Sequence, residues 1–373
     1  MALTPQQLQN SAKPVTDIYS GIELAIMINI AERLGSTIEE LQDNPALWQS
    51  NRFGELAEFY QRQRRFIIAQ APKAERELRQ TLSKTALDHI EIGEKALQEA
   101  FDKGIVPVSP ERLRDDPQML SILSSYQQRA RSDLNMINTS VLNGSQQVYR
   151  NIISETTSRV LTGQMTADRA IRSTLSKWSD KGIPTLTRSD GATLSAEGYV
   201  SMIVRSVTND VTNDMQMTRI QQYGNDLIEV SSHIGARPRC APFQGRIFSL
   251  SGNSNRYPAW SSTSYGEAAG LLGVNCGHQI YPFFEGLSVA PEPPKQTAEQ
   301  NAEAYKESQR QRQLERDIRK AKNRQDILAA SGDVVGAEQA RKLIRQRQGR
   351  MRGFIDESGR TRRYGREQIQ RSV

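Results

Sequence analysis

Both cysteines of the chain and two of its three histidines fall within one stretch, from Ser231 to Gly286. His233 and Cys240 flank Pro238, and Cys276 and His278 stand near its end as Cys-x-His. Thiolate sulfur and imidazole nitrogen are the donors that tetrahedral zinc takes, and two donor pairs far apart in sequence can clip an irregular module together. In extended chain, residues two apart project from one face, so Cys276 and His278 can grip a single ion while His233 and Cys240 complete a His2Cys2 set. The spacing is not that of a zinc finger, since Cys-x-His is tighter and the His233–Cys240 gap looser than the usual separations. Three readings fit these residues. One is a structural zinc. The second is a buried thiol with hydrogen-bonded histidines and no metal. The third is catalytic, a Cys276/His278 dyad or an open zinc site, but no orienting third residue or glycine-rich oxyanion turn accompanies it, and four ligands leave no position for substrate.

The other chemistry-bearing feature is charge. Residues 295–373 hold 20 Lys+Arg against 11 Asp+Glu, whereas the rest of the chain holds 29 against 31. The basic excess concentrates in Arg341, Lys342, Arg345, Arg347, Arg350, Arg352, Arg360, Arg362, Arg363, Arg366 and Arg371. Such a run can neutralise phosphates without reading bases, or dock on an acidic protein surface. Only Phe354 and Tyr364 are interleaved as stacking groups, which argues against sequence-specific recognition.

The elements that must position these groups are mostly helical. The composition is 37% apolar and only 6% aromatic, which favours long helices burying one stripe each. Residues 1–13 read as loose. A helix then runs to Gly35, with Ile18, Ile22, Ala25, Ile26, Ile30 and Leu34 on one face and Leu24 and Ile28 covered elsewhere. Two helices parted by Pro72 are expected between Trp48 and Lys103; His89 beside Asp88 reads as a helix-surface residue. After the breaker run 104–110, a long helix over Pro117 to Leu161 carries a seam of Leu123, Ala130, Leu134, Ile137, Val141, Val148 and Ile152 that can meet earlier helices or a second subunit. Thr166 reads as the cap of a helix reaching Trp178, and a hairpin follows around Ser189-Asp190-Gly191. Ala196 to Tyr223 is helical, with Tyr199, Ile203, Val207, Val211 and Met215 inward and Arg205 solvated or paired. Strands are expected at 227–232, 246–250 and 279–283. Ala290–Pro294 reads as a stiff linker. Polar helices from Thr297 to Ala330 and from Val335 to Gln348 follow, with a Glu315–Arg319 pair on the first. The fold class is therefore α+β and predominantly helical. Its regions are an N-terminal arm (1–104), a helical region with a hairpin (105–225), a compact β/loop module (226–288) and a basic helical tail (289–373). No apolar run is long enough to span a membrane, and no export signal is visible. Two cysteines do not make a disulfide framework, and a reducing cytoplasm would oppose their pairing.

Several motifs together resemble the minor capsid protein 2 family of tailed phages, which is related to the Mu F-like head morphogenesis proteins. They are Val230-Ser231-Ser232-His233-Ile234-Gly235-Ala236-Arg237-Pro238, Gln244-Gly245-Arg246-Ile247-Phe248-Ser249, Tyr265-Gly266, Gly270-Leu271, Asn275-Cys276-Gly277-His278 and Tyr281-Pro282-Phe283-Phe284-Glu285-Gly286. Outside the module, Ile18-Tyr19, Lys181-Gly182-Ile183-Pro184, Glu197-Gly198-Tyr199-Val200 and residues 309–316 fit the same pattern, so most of the chain is covered. The resemblance implies a virion component made in the host cytoplasm and placed inside the head near the portal. Portal and major capsid protein are then the expected partners, packaged double-stranded DNA a further one, and a homo-oligomer is among the expectations. Mu F-like relatives carry a leading cysteine pair and a closing segment that ends in cysteine. Here His278 takes that last position, and Cys240 stands without a second leading cysteine, with His233 to compensate. No enzymatic activity is expected of such a protein. The rival readings are a zinc-dependent or Cys/His hydrolase or transferase delivered with the genome, and a non-specific DNA-binding packaging factor.

Overall fold

The computed structural model describes residues 4–189, 191–289, 291 and 296–371. Helix dominates the described residues, and their β-strands form two small antiparallel sheets, the α+β class that the periodicities predict.

Of the first thirteen residues, expected to be loose, 1–3 lie outside the described residues and 4–13 are mostly helical. Helix α1 (Pro5–Ser11) forms because Thr4 supplies a capping box: its hydroxyl accepts from the Gln7 amide at 3.2 Å, and the Gln7 side chain accepts from the Thr4 amide at 2.8 Å. Helix α2 (Lys13–Gly35) buries Ile18, Ile22, Ile26, Ile30 and Leu34 on the predicted face, and Leu24 and Met27 around the cylinder. Two short helices, α3 (Ile38–Asp43) and α4 (Pro45–Gly54), lead into α5 (Leu56–Asp102). The predicted break at Pro72 is absent, because α5 runs through it. A proline inside a helix costs about 3 kcal/mol. Burial of Phe59 and Ile67 before it, and of Leu78, Leu82, Ala86 and Ile90 after it, holds one helical register on both sides.

Helix α6 (Pro117–Leu161) has the expected bounds, and every residue of its predicted seam is buried. Helix α7 (Ala167–Lys181) begins after Thr166 as predicted but runs past Trp178, and the Thr166 side chain makes no capping bond. The hairpin is strands β1 (Pro184–Thr187) and β2 (Thr193–Ser195); Asp190 of its turn lies outside the described residues. Helix α8 (Ala196–Gln222) buries Val207, Val211 and Met215 as expected. Its first turns bury Val200 and Val204, leaving Tyr199 and Ile203 half-buried.

Strands β3 (Leu227–Val230), β4 (Ile247–Ser249) and β5 (Ile280–Pro282) form an antiparallel sheet with β3 in the centre, at the three predicted places. The linker expected at Ala290–Pro294 falls almost wholly outside the described residues. Helices α9 (Ala298–Ala330) and α10 (Val334–Ser358) form the tail, the second longer than predicted and stopped by Gly359 in the left-handed conformation.

The chain divides into two compact units interleaved along the sequence. One comprises the described parts of Met1–Val15, Glu75–Asp133 and Ser201–Ser308; the other comprises Thr16–Ala74, Leu134–Val200 and the described part of Gln309–Val373. The first holds the three-stranded sheet and an apolar core of Leu97, Ile220, Tyr223, Ile228, Phe248, Trp260, Leu271, Ile280 and Phe284. In the second, Glu23 of α2 is buried and accepts the Ile183 amide at 2.7 Å, joining α2 to the approach of β1.

Candidate metal centre

Sheet register explains why distant residues meet. Val230 of β3 pairs with Ile280 of β5, and the pairing extends outward through Ser231, whose amide donates to the Gln279 carbonyl at 2.9 Å. Continuing antiparallel, the chain leaving β3 runs beside the chain entering β5, which brings the His233 segment alongside Cys276–His278. Cys240 returns to the same place through a turn in which its amide donates to the Arg237 carbonyl at 2.9 Å, and Gly245 then pairs back onto Val230.

Three of the four predicted donors converge. The sulfurs of Cys240 and Cys276 are 3.8 Å apart, and Cys276 Sγ lies 3.3 Å from His278 Nδ1. All three residues are buried, and their donor atoms lie within 4.8 Å of one another. A tetrahedral ion with bonds of about 2.3 Å to sulfur and 2.0–2.1 Å to nitrogen separates its ligands by about 3.5–3.8 Å, so the cluster has the dimensions of a metal site. A disulfide would need about 2.05 Å, and both cysteines are free. The cluster can hold a metal ion. His233 does not join the donor set: its ring lies against that of His278, with centroids 4.4 Å apart, and its Nδ1 is 3.2 Å from the Ile234 carbonyl oxygen. Its Nε2 is sealed from solvent without a hydrogen-bond partner.

The electrostatics suit a thiolate donor. The Cys240 thiol beside it, and then His278, hold Cys276 well below the ordinary thiol range, against the opposing effect of burial. Cys240 is pushed up, first because its proton is shared with Cys276 and then by burial. Burial, reinforced by His278, brings His233 down to about 4.

Residues to which the sequence assigns no role at the site hold this cluster in place. Gln244 is buried, and its Oε1 lies 3.4 Å from His278 Nε2 while accepting the His233 amide at 3.1 Å. That contact leaves Nδ1 of His278 to face the sulfurs. Arg237 donates to the carbonyls of Val274 at 2.7 Å and Gly270 at 3.0 Å, tying the two loops that carry the cysteines. Asn275 sits in the left-handed region at φ 60° next to Cys276; Arg205 of α8 donates to its side chain, and its amide donates to Ser206 Oγ at 3.2 Å. Arg205 is therefore paired. Asn301, near the start of α9, accepts the Gly235 and Ala236 amides at 3.0 and 2.9 Å and donates to the Ala236 carbonyl at 2.9 Å. Arg237, Gln244 and Asn275 stand within the motifs that carry the resemblance and Asn301 in none, but Gln and Asn carry no periodicity, so only the folded chain gives them these roles.

His89 is not on a helix surface as expected: it is fully buried, its ring 5.0 Å from that of Tyr281. Neither ring nitrogen has a well-formed hydrogen bond, and burial lowers its pKa to about 4, opposed by the Ile280 backbone.

The basic residues of the tail divide in two. Arg362 pairs with Glu367 at 2.7 Å, Arg363 and Arg366 both pair with the buried Glu315 at 2.9 Å, and Arg371 pairs with Asp326 at 2.8 Å. Arg360 donates to Gln311 at 3.0 Å, and Arg347 donates to the Asp317 carbonyl. The predicted Glu315–Arg319 pair is thus replaced, and Arg319 reaches Glu197 at 2.5 Å. Arg341, Lys342, Arg345, Arg350 and Arg352 are exposed on α10.

A three-stranded sheet bearing a metal-sized donor cluster, in a chain of long helices, defines a helix-dominated α+β protein. The family model described as phage minor capsid protein 2 matches residues 3–356, and the chain belongs to that family. It is 30% identical over 319 residues to a structural protein of Lactococcus phage LL-H, covering 81% of this chain and 83% of that one. It is 35% identical over 116 residues to a structural protein of Lactococcus phage mv4, covering 31% of this chain and 93% of that one. No solved structure matches the chain. The protein is a minor structural component of a phage virion. Among the described residues, no helix is long and apolar enough to cross a membrane.

Proposed function

We propose that the protein is an internal component of the phage head, seated near the portal, where it contacts portal and major capsid protein and aids assembly or genome packaging without catalysing a reaction. The observation that carries this reading is the family match over nearly the whole chain, residues 3–356. The Cys240–Cys276–His278 cluster then serves as a structural zinc site that fixes the module, with His233 beside it. Burial supports a structural role over an enzymatic one, since Cys276 is 3% and His278 1% exposed, and a substrate would have to open the module to reach them. Cross-linking mass spectrometry of intact virions tests the placement: cross-links to the portal and to the inner surface of the major capsid protein are expected. Cross-links confined to tail proteins would refute it. Metal analysis of the purified protein tests the zinc, with about one equivalent expected that Cys276→Ser loses.

A further inference from the structure

We propose that the outward face of α10, between Arg341 and Arg352, is a docking surface for the phosphate backbone of duplex DNA, and that the basic segment after it is not. This deepens the reading of the protein as a component packed with the genome.

Six of the eleven basic residues from Arg341 to Arg371 are engaged within the fold. Arg362, Arg363, Arg366 and Arg371 are held by Glu367, Glu315 and Asp326, Arg360 by Gln311, and Arg347 by a backbone carbonyl. Moving these onto phosphates would break ion pairs already made, one of them around a carboxylate only 1% exposed. The other five stand on the solvent side of one helix. Ile344 and Met351 are buried on the opposite face, which fixes the orientation of α10. Arg341, Arg345 and Arg352 recur at i, i+4 and i+11 and form one ridge; Lys342 lies on the outermost line, and Arg350 flanks it on the other side. Lys342, Arg350 and Arg352 make no ion pair among the described residues, and Arg341 and Arg345 each meet only Glu338, loosely, at 3.6 Å.

The outermost line carries a second peculiarity. Gly349 and Gly353 follow Lys342 at i+7 and i+11, and both weaken the helix relative to alanine. Packing does not require either one: a Cβ at Gly353 would meet nothing within 4 Å, and one at Gly349 only the mobile end of Arg352 at 3.7 Å. Bare backbone between flanking cations lets a phosphate ridge approach closely. The cationic run spans about 16 Å of helix. It is bounded by Glu338 before it and by exposed Asp356 and Glu357 after it, so the footprint is short and sequence-independent.

The test is the salt dependence of binding of the full-length protein to a short mixed-sequence duplex. Five phosphate contacts predict a log–log slope of about −4 to −5, where engagement of all eleven cations would give about −10. Lys342→Gln/Arg350→Gln/Arg352→Gln, all surface changes that should leave thermal unfolding unaltered, should reduce the slope by about 3 and weaken binding at low salt at least tenfold. Arg371→Gln should keep the parent slope. An unchanged slope in the triple variant, or an equal loss in Arg371→Gln, would overturn the inference. So would competition by polyglutamate as effective, charge for charge, as that by duplex DNA, which would assign the face to an acidic protein. A parent protein that ignores duplex DNA also overturns it, while the head placement is judged separately by virion cross-linking.

Discussion

At the scale of single residues, the donor cluster depends on a neutral amide. Gln244 gives His278 a fixed partner for Nε2, so Nδ1 is turned to the two sulfurs, where an ion held by the cluster would take it in one orientation. Gln244→Leu keeps the volume and removes the acceptor. It is expected to weaken cobalt binding about 10- to 100-fold, read from the thiolate-to-metal absorption band, while the cysteines remain in place. His89 makes the opposite case, a polar group that the fold would do better without. Its folded pKa of about 4 lies below the ordinary 6.5, so its contribution is present above pH 6.5 and is lost as pH falls towards 4. His89→Leu should therefore raise stability by about 1–2 kcal/mol at neutral pH, and the gain should widen by roughly 3 kcal/mol as the pH is lowered through that window. Denaturant unfolding at a series of pH values measures both. His233 shows where residue types mislead: a suitable donor close by in sequence stacks on His278 instead of joining the Cys240–Cys276–His278 group, because its backbone amide is held by Gln244 and its ring faces the Ile234 carbonyl.

At the scale of elements, close approach decides which helix carries which strand. Gly144 interrupts the seam of α6, and the reason is the adjacent hairpin: a Cβ there would lie 2.6 Å from the Pro184 carbonyl oxygen and 3.0 Å from Ile183 Cγ2. Gly144→Val should cost about 1–3 kcal/mol, measured by thermal unfolding, because neither the strand backbone nor the buried isoleucine can retreat freely. The same corner holds Glu23, whose carboxyl burial raises to about 7 against the Ile183 amide that stabilises its charge. A raised carboxyl pKa means that its stabilising protonation is complete below pH 4.5 and lost as pH climbs through 7. Glu23→Gln keeps the acceptor and removes the charge. The variant should be about 3 kcal/mol more stable than the parent at pH 8 and indistinguishable from it near pH 4. Helix α5 makes the related point about Pro72. A local breaker loses to a buried stripe that continues in register on both sides, which is why reading it as a boundary failed.

At the scale of the whole molecule, the proposed metal and the helices should be separable contributions. The helices owe their order to buried stripes, whereas the module of 226–288 has short strands, several loops and a donor cluster. Chelation of the metal should leave the far-ultraviolet circular dichroism almost unchanged, while the near-ultraviolet signal of Trp260 and Tyr265, whose rings meet at 5.0 Å, changes with it. The sequence by itself determined the helical class, the bounds of α6 and the three strands of the module, and it pointed to the four-donor set from which Cys240, Cys276 and His278 come together. These follow from periodicity, turn residues and donor chemistry, which are local or need only one long-range assumption. The tertiary structure alone decided that His89 is buried, that His233 stands beside the donor set, that six of the eleven basic residues from Arg341 to Arg371 are already engaged, and that distant segments interleave into two units. Each of these depends on which carboxylate, carbonyl or strand arrives from elsewhere in the chain, and a partner brought in by folding leaves no mark on the spacing of its neighbours.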